Sequence, residues 1–421
     1  MNSMSKGAIA AVGASALALA LFDLSAQGKE QDQPMARFSP RLIQPRVPVV
    51  AKEGRTPAQE KMLANRPDYN VFKTLAHDPE LFERWSGLGQ YLLNASTLPP
   101  RDREIIILRM GWLCQAPYEW SQHARIAKAS ANMTDVEVRA IAAGAAAPSL
   151  SDFDRTLIRM TDELRYDTEI SVATWAALRA RYSVEQTIDA IYTAGQYQLV
   201  SMALNSLGVQ LDPELQDRIP TDLQLPPPAA TPAVPRLTAA RLKPLTLETM
   251  TQEQRQLVAP QMRDGKVPNL YATLVVHTRF YEPRLRFGSY VQRDSRLPPQ
   301  TRELLILRTA WLAKSEYEWA HHAVFAHDAG FTEAEIASVA SGPRAGNWSD
   351  EQRALLRAAD ELRREAFISA ATWKTLTQHY DTAGMIEIIY TVGGYAMTAM
   401  AINSLGIQVE EGYPRTRNFG N

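Results

Sequence analysis

A chain of 421 residues, 45% hydrophobic and 22% charged, is long enough for two ordinary domains, each with its own core. Its 45 basic and 46 acidic side chains leave a formal net charge of −1 and form no long single-sign runs. That excludes the electrostatic footprint of a nucleic-acid or anionic-membrane binder and leaves a small molecule as the expected partner. Cys114 is the single cysteine, which excludes an intramolecular disulfide and a Cys-x-x-Cys redox pair.

In chain order, the first element reads as an export signal. Lys6 supplies the positive start, residues 8–22 are small and apolar, and Leu24-Ser25-Ala26 offers a cleavage site after Ala26. The stretch falls short of the roughly 20 apolar residues that a spanning helix needs. The expected product is a periplasmic or secreted protein with no stable membrane insertion, an uncleaved tether being the alternative. Residues 27–69 form a Pro-bearing arm, marked by Pro34 to Pro48.

The rest of the chain is written twice. Leu98-Pro-Pro-Arg-Asp-Arg-Glu-Ile-Ile-Ile-Leu-Arg109 returns as Leu297-Pro-Pro-Gln-Thr-Arg-Glu-Leu-Leu-Ile-Leu-Arg308, an offset of 297 − 98 = 199. Asn205-Ser-Leu-Gly208 returns as Asn403-Ser-Leu-Gly406 at 403 − 205 = 198, one residue having been lost near Gly330. The expected domains are 70–208 and 269–406. Between them lies a proline-dense linker and arm over 209–268, and a tail follows over 407–421. Each copy reads as all-helical. Thr134-Asp-Val-Glu137 and Thr332-Glu-Ala-Glu335 are capping boxes. Ser151, Ser349, Ser171 and Ser369 open further helices, and Asn132 and Gly330 suit left-handed helix ends. Residues 104–113 and 303–312 are apolar almost all round, which predicts helices buried at the centre of each domain.

Of seven histidines, only His123 and His322 are equivalent between the copies. Each follows a repeated acid by four residues, Glu119 and Glu318, a spacing that puts both side chains on one helix face. A carboxylate beside an imidazole fixes its tautomer and raises its pKa, as general acid/base work requires; a solvated surface pair is the plainer reading. The flanking aromatics Tyr118, Trp120, Tyr317 and Trp319, and the second repeated acids Glu104 and Glu303 at the head of the buried helix, favour a desolvated pocket. His321, His322 and His327 cluster in the second copy, but Gln122 and Lys128 replace two of them in the first. No His-Glu-x-x-His spacing occurs, so no metal site is expected.

Arg-Glu-(apolar run)-Arg, then Tyr-Glu-Trp-x-x-His, then a helix opened by Thr-x-x-Glu, resembles the carboxymuconolactone decarboxylase/AhpD-like superfamily over both repeats. The resemblance implies an all-α fold of two tandem helical domains that form an intrachain pseudo-dimer, and homo-oligomerisation through a helical hairpin. The two cysteine positions of the peroxidase branch fall on Ala116 and Glu119, and on Ser315 and Glu318. Thiol peroxidase chemistry is therefore disfavoured. The decarboxylase branch has Glu-x-x-x-His without cysteines. It implies cofactor-independent decarboxylation or isomerisation of a carboxylated lactone, enol or β-keto acid. In that reading His123 or His322 donates the proton, Glu119 or Glu318 orients it, and Glu104 or Glu303 is a second acid. Tyr118, Tyr317, Trp120 and Trp319 then border the substrate. Arg109 and Arg308 either hold a substrate carboxylate or form an ion pair across the core. A non-catalytic helical binding or scaffold protein is the remaining alternative.

Overall fold

Among the described residues each repeat runs through the same nine α-helices. In the first these are α1 (Pro57–Leu63), α2 (Asn70–Leu75), α3 (Pro79–Gln90), α4 (Pro100–Leu113), α5 (Pro117–Ala131), α6 (Asp135–Ala143), α7 (Asp152–Asp167), α8 (Val172–Arg179) and α9 (Val184–Leu207). In the second they are α10 (Gln252–Val258), α11 (Asn269–Leu274), α12 (Thr278–Ser289), α13 (Pro299–Leu312), α14 (Glu316–Asp328), α15 (Glu333–Ser341), α16 (Asp350–Glu365), α17 (Ala370–Leu376) and α18 (Thr382–Leu405). The computed structural model describes residues 42–226 and 237–413, and among these the fold is all-α with no strand. The expected signal segment lies outside the described residues.

The start signals act as written. Thr134 and Glu137 close a capping box at α6, and Thr332 and Glu335 another at α15. Ser151 and Ser349 cap α7 and α16 in the same way. Asn132 ends α5 in the left-handed region at φ 51°. The two segments expected to be proline-bearing arms each carry a short helix as well. Thr56 with Gln59 and Thr251 with Gln254 form capping boxes at α1 and α10, and the only proline in either helix, Pro57, stands at its first position, where it costs no hydrogen bond.

Glu104 to Leu113 of α4 are buried throughout, whereas burial in α13 runs from Glu303 to Ala310 and leaves Trp311 and Leu312 half-buried. The centre belongs to α9 and α18, which cross face to face. α18 is long and apolar enough to span a membrane, but 89% of its most apolar window is buried inside the fold. The crossing is close because Gly195 lies under Met397 and the equivalent Gly393 lies under Leu199.

Other contacts between the repeats also come in pairs with the roles exchanged, as an approximate two-fold axis requires. Arg165 donates to the carbonyls of Arg363 and Arg364, and Arg363 to those of Arg165 and Tyr166. Ser206 accepts from the Ile368 N–H, and Ser404 from that of Ile170. The arms join in, since Arg46 donates to Ser206 and Ile368 carbonyls and Arg241 to those of Ile170 and Ser404. The duplicated chain thus makes a pseudo-dimer by itself.

Candidate active site

In the first repeat α4 presents Glu104, and α5 presents Glu119 and His123. His123 Nδ1 lies 2.8 Å from Glu104 Oε2, and its Nε2 lies 3.1 Å from Glu119 Oε1. The i,i+4 contact read from the sequence therefore forms, but the closer partner is the acid 19 residues away. The edge of Tyr197 in α9 closes the ring in, at 4.8 Å between centroids. Burial pulls the imidazole's pKa down, but the Glu104 and Glu119 carboxylates outweigh it and hold it up at about 9. His123 is thus a charged group clamped on both nitrogens.

The second repeat is built from the same residues and is open. His322 Nδ1 lies 2.6 Å from Glu303 Oε2, and Tyr395 closes on the ring at 4.8 Å. No residue bonds the other ring nitrogen among those described, and both carboxyl oxygens of Glu318 are buried without a hydrogen bond. Burial pushes the Glu318 carboxyl up to about 8, against the opposing pull of Ser315 and Arg284, so it is a neutral acid at pH 7. Glu318 and His322 line a cavity of about 80 Å³ together with Tyr271, Arg284, Tyr317 and Tyr395.

The other residues singled out from the sequence are placed differently. Arg109 binds Asp162 through Nε and Nη2 at 2.6 and 2.9 Å and gives Nη1 to the carbonyls of Ile141 and Ala142. Arg308 binds Asp360 and two equivalent carbonyls. Of the two roles open for these arginines, this geometry is that of an ion pair across the core. Tyr118 donates to Asp212 at the head of the linker, and Tyr317 to Glu410 in the tail; of the two, only Tyr317 lines the cavity of the second repeat. Trp120 and Trp319 are buried core residues outside that lining. The three clustered histidines diverge: His321 pairs with Glu410, His322 with Glu303 and His327 with Glu333. No group of three or more metal-ligating side chains converges among the described residues.

Comparison with known proteins gives two findings. A model of the carboxymuconolactone decarboxylase family matches residues 79–163 and again 278–361. Each repeat therefore contains a segment similar to that family. Among solved structures, a Cys-to-Ala variant of the debrominase Bmp8, bound to 2,3,4-tribromopyrrole, is similar at 12% identity and TM-score 0.34 over 42% of this chain and 94% of that one. Curated protein sequences yield no match.

The two domains differ around the shared Glu and His residues. At an offset of 199, Arg284 of α12 replaces Trp85 of α3. At 198, Gly394 of α18 replaces Gln196 of α9. In the first domain Trp85 Nε1 donates to Gln196 Oε1 at 3.2 Å, and the indole packs edge-on against Tyr390 at 5.3 Å. This pair occupies the positions that line the cavity in the second domain. Sequence reasoning missed Tyr197 and Tyr395, although they repeat at 198 as the histidines do at 199. It also missed Arg284, which a search for repeated residues passes over because it is not repeated.

Proposed function

We propose that the second domain carries out cofactor-independent acid/base chemistry on a small carboxylated lactone, enol or β-keto acid. The observation that carries this reading is the pairing, in one cavity, of an imidazole fixed at Nδ1 by Glu303 with an unpartnered acid, Glu318. In decarboxylation the C–C bond to the carboxylate breaks, CO2 leaves, and the electron pair stays as an enolate. Glu318, or His322 through Nε2, delivers one proton to carbon, and the site recovers a proton from water. In isomerisation His322 Nε2 removes a proton from one carbon and the same pair returns it to another. Neither reaction needs an electron acceptor. The buried surroundings strengthen each of these interactions relative to water.

The test is a screen of the purified protein against unsaturated γ-lactone carboxylates and β-keto acids in D2O, following CO2 release and deuterium entry into product. Turnover that a folded His322→Ala variant loses supports the reading. A folded His322→Ala variant with full activity overturns it, as does a screen in which no compound loses CO2 or gains deuterium.

A further inference from the structure

Arg284 is 6% exposed, and no carboxylate pairs with it among the described residues. Its guanidinium lies over the ring of Tyr271 at 5.9 Å, packs along Gly288 and faces the hydroxyls of Tyr192 and Tyr281. A buried cation without a counter-ion is costly, and proteins keep one where an anion arrives to pair with it. Of the other titratable groups lining the same cavity, Glu318 is neutral at pH 7, His322 is engaged by Glu303 and His321 by Glu410, and the rest are tyrosines and Arg263. Arg263, exposed at the rim of the same cavity with its guanidinium over Phe325 at 5.3 Å, adds positive potential at the mouth.

We propose that Arg284 anchors a carboxylate of the substrate, one that the reaction leaves in place, and that the chain therefore has a single small-carboxylate site, in its second domain. The anchored carboxylate is not the departing one, because an ion pair on a leaving carboxylate stabilises the ground state and opposes its loss. Tyr192, which faces Arg284, comes from the first domain, so that domain helps position the anchor. Its own equivalent position holds Trp85, bonded to Gln196, and offers neither a charge nor a space. This inference rests on the acid/base reading only for the identity of the substrate. Binding can be measured without turnover.

The probe is 2-furoate, a planar five-membered ring bearing a carboxylate, with 2-furamide as its uncharged counterpart. Calorimetric titration of the full chain should show one furoate per chain and at least tenfold weaker furamide binding. Arg284→Gln should lower furoate affinity by about tenfold to a hundredfold, the worth of a charge-assisted bidentate contact. If that variant does not fold, Arg284→Lys decides, since it keeps the charge but loses the fork and should bind furoate more weakly than wild type. Equal binding of furoate and furamide, two furoates per chain, no furoate binding at all, or undiminished affinity in a folded Arg284 variant would overturn the proposal. If furoate binds through Arg284 while a folded His322→Ala variant turns over normally, the acid/base reading fails and the anchor stands.

Discussion

Met397 rests directly on the Cα of Gly195, so closely that a Cβ built there would stand 2.5 Å from Met397 Cγ and 2.9 Å from Met397 Cα. A side chain can turn aside, but a backbone atom cannot, so α9 and α18 can cross at this separation only while residue 195 is glycine. Gly195→Ala should therefore destabilise the protein by about 1–3 kcal/mol, read as a lower midpoint in denaturant unfolding. The control is Gly87→Ala, where nothing lies within 4 Å of the added Cβ. That change should be neutral or stabilising by about 0.5–1 kcal/mol, the usual gain of alanine over glycine inside a helix. Equal behaviour of the two variants would refute this account of the crossing.

The two histidines should separate stability from function. His123 bridges two buried carboxylates, so His123→Ala should cost about 3–5 kcal/mol while leaving turnover per folded chain intact. Because its folded pKa of about 9 lies above the ordinary 6.5, its stabilisation is fully present below pH 6.5 and is lost as the pH rises to about 9. Unfolding measured across that window should show wild-type stability falling and the variant's changing less. His322→Ala should instead stay folded and lose about 10²–10⁴-fold in rate. Loss of activity in a folded His123→Ala variant would contradict this division of labour.

Glu318 should govern the alkaline side of activity. A donor that is neutral only below about pH 8 predicts a rate that falls as the pH rises through that value. Glu318→Gln cannot donate and should lower the rate while removing that limb of the pH profile. An unchanged alkaline limb in the variant would assign it to another group.

At the far side of the interface Glu387 should control stability in a lower window. Burial pushes its carboxyl up to about 7, and Asp78 adds to the effect. One oxygen of each acid is buried without a partner. The folded state then binds a proton that the unfolded state has released, so stability falls as the pH rises from about 4.5 to 7. Each factor of ten in acid strength is worth about 1.4 kcal/mol. Glu387→Gln should flatten that slope and raise the melting temperature above pH 7. If the melting curves of the two proteins run parallel from pH 4.5 to 7, the assignment is wrong.

The duplicated sequence by itself determined the helical class, the tandem arrangement and the Glu and His residues, because these rest on local rules: capping boxes, three-to-four-residue spacing, and identity at a fixed offset. The same rules placed Glu119 within reach of His123, since both lie on one helix. Only the tertiary structure decided that Glu104 is the closer partner, because a contact across 19 residues between α4 and α5 depends on how two helices pack. It alone also decided that the same Glu and His residues make a clamped pair in one domain and an open site in the other. The residues that differ around them, Trp85 and Gln196 against Arg284 and Gly394, lie on α3, α9, α12 and α18 and meet only when the chain is folded. Arg109 and Arg308 were legible as buried arginines, but their carboxylate partners, Asp162 and Asp360, lie 53 and 52 positions away, too far for any local pattern to pair them.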